Sequence, residues 1–377
     1  MGKKVMFFGT DYIAVKALSA LFDAKNIVKS LKLIAPHSQP QKQLSTIDFA
    51  TKNNIDFIKL PPKTKFDLSN FYLPKHGYDI GVVVSFGYLI PKDIINSFKY
   101  GMINLHPSLL PKYRGASPIQ NTILNNEAET GVSIIQISPQ IDCGSLLYQQ
   151  KTKIHQNETF WPLYRRLSEK GAQLILKAVE NAENFNKIAK PQKNVNPQQI
   201  EPKEEENFYK KSYSKFSKRS GHISFVDSDR KSVYNKWRAF YEYLPVVAFY
   251  KFAKKRKRFQ IFKAFLPENK FRLAKDFDKM NEKIRLKSGH LSAGKAIFLN
   301  KKDSRLAGGC LLVKCKCGKM MGIENMKTNV NVIRADDFIN GFSDNRSEID
   351  FYFFNFFRGF FEDFFRLLSI PSFFSIC

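Results

Sequence analysis

The chain has 377 residues, 43% of them hydrophobic, and carries 61 Lys and Arg against 34 Asp and Glu, a net charge of +27. That length predicts two domains, the hydrophobic share excludes a chain too polar to fold, and the charge calls for a polyanionic partner, with Lys-rich codon usage as a further source of part of it. Five Cys, at 143, 310, 315, 317 and 377, make no even, regularly spaced framework, so a disulfide-stapled secreted domain is excluded and a reducing compartment is expected.

Lys3 and Lys4 lead directly into Val5–Phe8, which reads as a buried first strand rather than a secretory signal. No amphipathic presequence is evident, so the expectation is the cytosol, or an organelle whose leader lies outside this sequence. Gly9-Thr10-Asp11 turns the strand into a helix ending near Phe22, with Ala14, Leu18, Leu21 and Phe22 on its apolar face. The G-x-G-x-x-G fingerprint is absent, so NAD binding is not expected. Residues 27–35 read as a strand, 36–43 as a polar loop with Lys42 near its end, 46–52 as a helix and 55–60 as a strand. Strands alternating with helices predict a parallel, doubly wound α/β sheet of Rossmann-like type. Residues 79–84 form a continuous apolar run, as a strand buried on both faces requires, and end in Ser85-Phe86-Gly87-Tyr88-Leu89-Ile90-Pro91. Met102–Leu105 read as the end of another buried strand, with His106 where it gives way to a Pro-rich loop. Ligands of open α/β sheets sit outside the carboxyl ends of strands, so the 85–91 loop and His106 should border one crevice.

Asn104 and His106 are two residues apart and so share one side of their strand. Asp142 follows in a turn with Gly144 behind it, between strands read at 130–137 and 145–154. An amide, an imidazole and a carboxylate are the parts needed to stabilise an oxyanion and move a proton. Taken singly, each also has an ordinary structural reading: a strand-end His, a capping Asn, a turn Asp. Residues 158–184 read as a long helix burying Leu163, Leu167, Ala172, Leu174, Ile175 and Val179.

The composition changes near 185 to Gln, Asn, Pro and Lys, then Glu204-Glu205-Glu206, so residues 187–213 read as an exposed linker. A second domain is placed at 214–342. Ser228 reads as the N-cap of a helix through Phe240. Short strands at 260–265, 295–299, 310–315 and 320–324 predict a small basic β-barrel of OB type. Basic residues interleave with aromatics there, as in Trp237-Arg238 and Lys251-Phe252-Ala253-Lys254-Lys255-Arg256-Lys257-Arg258-Phe259. RNA bound through charge and stacking, and a merely solvated basic face, both remain open from these residues. Cys315-x-Cys317 has no second pair or His cluster near it, so no metal is expected. From Phe351 apolar pairs recur at a helical period to 368; Arg358, Glu362, Asp363 and Arg366 argue against a spanning helix, and contact with a membrane surface is less expected than packing on the protein's own fold.

One stretch is far more specific. Asn104-Leu105-His106-Pro107-Ser108-Leu109-Leu110-Pro111-Lys112-Tyr113-Arg114-Gly115 is followed by Thr130-Gly131-Val132-Ser133-Ile134, then Asp142-Cys143-Gly144. In order and wording it resembles the 10-formyltetrahydrofolate-dependent formyltransferase family, whose signature is N-x-H-x-S-L-L-P-x-Y-R-G, T-G-V-(S/T)-I and a D-x-G turn. Over 3–342 the chain is similar to the methionyl-tRNA formyltransferases. Phe7–Asp11, Val83–Gly87 and 101–147 are similar to their animal mitochondrial type, which implies the mitochondrial matrix. NVIRADDFINGF at 331–342 resembles the family's closing helix.

The resemblance implies a catalytic domain at 1–186, a tRNA-binding OB-like domain at 214–342, and a tail at 343–377 without a family counterpart. It implies Asn104, His106 and Asp142 as catalytic residues. It implies that backbone groups of Phe86, Gly87, Tyr88 and Leu89 hold the pterin and that Ser108, Leu109, Leu110 and Pro111 shape the folate side. The co-substrate is then 10-formyltetrahydrofolate, without a metal. The partner is methionyl-initiator tRNA, with no stable protein partner. Lys42, Lys254, Lys255, Arg256, Lys257 and Arg258 become RNA contacts. For Arg114, an RNA phosphate contact and structural pairing are both open. Another amine acceptor (glycinamide ribonucleotide or an amino sugar) and a non-catalytic RNA-binding protein on this scaffold are the alternatives.

Overall fold

The structure is a computed structural model. It describes residues 2–37, 45–61, 77–192, 216–252, 255–271, 282, 284, 289, 291–299, 304, 306–328, 331–340 and 349–350. Contacts divide the chain into two units, Met1–Phe216 and Ser217–Cys377.

The first unit is built on a seven-stranded sheet. β1 (Lys3–Gly9), β2 (Val28–Ala35), β3 (Asp56–Lys59), β4 (Ile80–Val84) and β5 (Met102–His106) pair in parallel; β6 (Glu129–Gln136) and β7 (Leu146–Lys153) join antiparallel. The spatial order is β3-β2-β1-β4-β5-β6-β7. The chain therefore winds outward from β1 in one direction and then crosses back to β4 on its other side. That reversal opens a crevice at the carboxyl ends of β1 and β4, the place where such sheets bind ligands. Every residue of β4 is buried, as a central parallel strand covered on both faces must be.

Helices α1 (Tyr12–Asp23), α2 (Thr46–Lys52), α3 (Lys92–Ile95), α4 (Pro118–Leu124) and α5 (Phe160–Glu180) fill out the unit, with α1 packed along α5. Asp11 caps α1, accepting from Ala14 N at 3.2 Å. The pattern over 158–184 predicts a longer helix than is found. α5 stops at Glu180 because both the backbone N–H and the Nδ2 of Asn181 turn to the Lys177 carbonyl, the Nδ2 at 2.9 Å. A side chain that bonds the helix's own last carbonyls offers the backbone an alternative to another turn. One 3-10 turn follows at Ala182–Asn184, then α6 (Phe185–Ile188). The composition predicts an exposed linker from 187. The chain instead stays packed through Gln192: Lys190 and Leu146 exchange backbone hydrogen bonds of 2.9 and 2.8 Å, and Phe185 and Gln192 are buried.

In the second unit, α7 (Arg230–Phe240) is capped by Asp229, which accepts from Ser232 N at 2.7 Å, and not by Ser228. The described strands are β8 (Val247–Phe252), β9 (Lys255–Phe265), β10 (Lys295–Leu299), β11 (Cys310–Lys314), β12 (Met320–Lys327), β13 (Val332–Arg334) and β14 (Ile349–Asp350). Short helices α8 (Pro267–Phe271) and α9 (Ala335–Asn340) accompany them. The strands pair antiparallel along β14-β10-β11-β12-β9-β8, with β13 against β12. Two strand segments go beyond the expectation: the apolar β8, and the first half of β9, where Lys and Arg at 255–258 hide the alternation of a strand. The closing helix expected over 331–342 begins only at Ala335, after the short strand β13. The helical period expected from Phe351 onward lies outside the described residues. Among the described residues, no helix is long and apolar enough to cross a membrane.

Candidate active site

β5 carries Asn104 and His106 to the carboxyl edge of the sheet, and its antiparallel neighbour β6 sets Ser133 opposite His106. Asp142 lies in the β6–β7 turn with φ of +53°, a left-handed conformation uncommon for a residue with a side chain. Gly144 closes that turn against the Gln136 carbonyl so tightly that no Cβ fits there.

The turn delivers the Asp142 carboxylate to the two β5 residues. Its Oδ1 accepts from Asn104 Nδ2 at 3.1 Å, and its Oδ2 accepts from Gly115 N at 2.8 Å. The same Oδ2 lies 3.4 Å from His106 Nδ1, with side-chain exposures of 5% for His106 and 11% for Asp142. On the other side of the ring, His106 Nε2 is 2.8 Å from the Tyr113 carbonyl. A carbonyl only accepts, so Nε2 carries the hydrogen. A second proton on Nδ1 then makes an imidazolium directed at a carboxylate. The three residues expected to be catalytic are thus one connected, largely buried network.

Two loops flank it. In 108–111, Ser108 Oγ donates to Lys112 O at 2.7 Å, and Ser133 Oγ donates to Ser108 O at 2.6 Å while accepting from Leu110 N at 3.2 Å. Gln149 Nε2 donates to Leu110 O at 2.7 Å and to Ser133 Oγ at 3.0 Å. Ser108 and Leu110 are buried, whereas Leu109 and Pro111 are partly exposed. In 85–91, Phe86 packs its ring edge-on to Phe8 at 5.2 Å, and Tyr88 Oη donates to Pro61 O at 3.2 Å. Those two rings anchor the loop inward. Gly87, at φ +78°, bends it, and the Leu89 side chain stands 73% exposed.

Asp11 ties the end of β1 to the end of β4. Burial pushes its carboxyl above the usual range, opposed by hydrogen bonds from Ala14 N, Tyr164 and Ser85. Tyr164 on α5 accepts from Ile13 N at 3.1 Å, and burial beside Asp11 pushes its phenol up. Among the described non-glycine residues with positive φ, Ser85, Tyr113, Ser117 and Asp142 all lie in these carboxyl-edge loops. Backbone strain of that kind concentrates at functional sites.

Arg114 has a structural partner. The residue is buried, and its Nε and Nη2 donate to Gln192 Oε1 at 3.1 and 2.7 Å. Lys257 and Arg258 are exposed on β9 of the second unit, with Lys255 and Arg256 on the same strand. Lys42 and Lys254 lie outside the described residues. Sequence reasoning missed Ser133, Gln149, Gln192, Asp11, the Tyr113 carbonyl and the Gly115 N–H as parts of the site. Ser133 and Gly115 stood inside the recognised wording; no pattern pointed to Gln149 or Gln192.

Residues 3–179 match the family described as formyl transferase. A methionyl-tRNA formyltransferase of Wolbachia pipientis subsp. Culex pipiens is 37% identical over 184 residues, which is 48% of this chain and 61% of the relative. A methionyl-tRNA formyltransferase of a Sulfurihydrogenibium species is 35% identical over 242 residues, 63% of this chain and 73% of the relative. The chain spans 61% of the length of the Wolbachia relative and 58% of that of a Fusobacterium nucleatum relative. Among solved structures, an N-formyltransferase from Helicobacter canadensis, in complex with folinic acid and dTDP-3-aminofucose, superposes with a TM-score of 0.53 at 21% identity. That match covers 87% of this chain and all of the other, and at this identity it shows the shared fold.

Proposed function

We propose, because this chain belongs to the methionyl-tRNA formyltransferase family, that it transfers the formyl group of 10-formyltetrahydrofolate to the α-amine of methionyl-initiator tRNA. The observation that carries this reading is the buried Asn104–Asp142–His106 network at the carboxyl edge of β5, beside the bent 85–91 loop. That loop suits a folate: its rings point inward, and Gly87 bends its backbone just beyond the carboxyl end of β4.

In the proposed reaction, a bond forms between the amine nitrogen and the formyl carbon, and the bond from that carbon to the folate nitrogen breaks. The Asn104 amide carries two hydrogens; Asp142 takes one, and the second donates to the developing oxyanion. Protonated His106, held through Nε2 by the Tyr113 carbonyl, adds positive charge beside the same oxygen. Asp142 orients the imidazole and passes the amine proton, through water, towards the leaving folate nitrogen. The formyl group arrives already activated, so no covalent enzyme intermediate and no metal is required.

We assign the RNA to the second unit, read as an OB-like barrel. β14 at one end of the strand path lies against β8 at the other, as closure requires, and the β8–β9 hairpin is strongly basic. The likeness of Phe7–Asp11 and Val83–Gly87 to the animal mitochondrial type supports a site of action in the mitochondrial matrix, which cell fractionation tests.

The deciding experiment is formylation with 10-formyltetrahydrofolate of methionyl-initiator tRNA, methionyl-elongator tRNA, glycinamide ribonucleotide and a dTDP-amino sugar. Turnover on the initiator tRNA above the other three is expected. Preference for either small amine, or no folate turnover at all, would overturn the reading.

A further inference from the structure

We infer that Gln192 is a positioning residue for the Asp142 carboxylate and that Arg114 acts by holding Gln192; this rests on the formyl transfer proposed above. Gln192 is 7% exposed and lies 50 residues beyond Asp142, in the segment after α6. Its Nε2 donates both hydrogens to the turn, to Asp142 O at 2.8 Å and to Gly144 O at 2.8 Å. Its Oε1 accepts twice from the Arg114 guanidinium. All four hydrogen-bonding positions of the amide are therefore filled.

The turn needs such a clamp. Asp142 sits at φ +53°, a conformation that persists only where the surroundings over-determine it. A small rotation of the turn would move the carboxylate off Asn104, Gly115 and His106 together. The clamp and the site share one support. Of three consecutive residues, Tyr113 holds the His106 ring, Arg114 holds Gln192, and Gly115 holds the Asp142 carboxylate. Only an amide fits the middle role. A carboxylate at 192 would pair well with Arg114, yet it has no hydrogen for the two turn carbonyls.

The test is steady-state formylation of methionyl-tRNA by Gln192→Glu, which keeps volume and the Arg114 pair, alongside Gln192→Ala and Arg114→Lys. We expect kcat to fall up to ~10²-fold in both Gln192 variants, the scale of a misplacement transmitted to the reacting groups. KM for both substrates should stay within about threefold, and the pH–rate profile should shift because the Asp142–His106 pair is displaced. Arg114→Lys, which keeps the charge and loses the fork, should reproduce the kcat loss in weaker form, and its effect should not add to that of Gln192→Glu. Wild-type kcat and pH profile in a folded Gln192→Glu protein, or a loss confined to KM, would overturn the assignment. Should both Gln192 variants fail to fold, Arg114→Lys decides it by the same criteria. An inactive wild-type enzyme would instead overturn the proposed reaction.

Discussion

Asp142 and Arg114 in the first unit are largely buried, and each directs its polar atoms at named neighbours: Asn104, Gly115 and His106 for one, Gln192 for the other. Lys257 and Arg258 in the second unit stand exposed on β9, paired in register with Tyr250 and Phe249 of β8. Under the proposed function, the first arrangement would concentrate the chemistry in a few geometric relations inside a region of low dielectric, and the second would spread RNA binding over a summed positive field that solvent and salt screen. Single substitutions should therefore be severe in the first region and graded in the second.

The sharpest test of that contrast is Asp142→Asn, which keeps shape and removes charge. Turnover should fall by ~10²–10³ with little change in substrate KM, a loss of about 2.7–4 kcal/mol of transition-state stabilisation. Near-normal kcat would break the comparison at its stronger end. Ser133→Ala comes next. It strips a buried hydroxyl that joins Ser108 O, Leu110 N and Gln149, so unfolding in urea should show a loss of about 1–3 kcal/mol. A stability within error of wild type would show that the 108–111 loop does not depend on that hydroxyl.

In the second unit, the double variant Lys257→Ala with Arg258→Ala should leave kcat unchanged and raise KM for tRNA. The slope of log affinity against log salt should fall by about one for each charge removed. A change in kcat with KM unaltered would place this hairpin in the chemistry rather than in charge-based binding.

The smallest expected effect concerns Asp11, whose folded carboxyl lies above its ordinary value of 3.8 through burial. The folded state then holds a proton that the unfolded chain has released, so stability declines as pH rises from 3.8 through the folded value. Asp11→Asn removes that decline. Its Tm should exceed that of wild type above the window and match it below 3.8. Parallel Tm–pH curves for the two proteins would contradict the effect of burial on Asp11.

The apolar run at β4 and the two-residue spacing of Asn104 and His106 were readable because strand burial and strand period are local properties. The helix α7 begins one residue later than the Ser228 cap predicts. Ser228 and Asp229 are both good caps in isolation. The structure engages Ser228 elsewhere: its N–H donates to Ser224 O and its carbonyl accepts from Lys316 N, on the turn between β11 and β12. That leaves Asp229 to cap the helix. The end of α5 moved for a similarly specific reason, the Asn181 side chain. Arg114 stood in a conspicuous motif, yet nothing near it in the chain showed that its partner would be Gln192.

By itself, the sequence of this protein determined the Rossmann-like α/β class, though not that β6 and β7 would join its parallel strands antiparallel, and it pointed to three candidate site residues and to the family. Each of these rests on a local period or on contiguous wording. Only the tertiary structure decided that the Asp142 carboxylate reaches Asn104, Gly115 and His106 at once, that Arg114 lies inside, and that the chain remains packed through Gln192. Those facts join residues as much as 78 positions apart. Such distances are set by how strands and helices pack around a shared core, a non-local property that no spacing along the chain encodes.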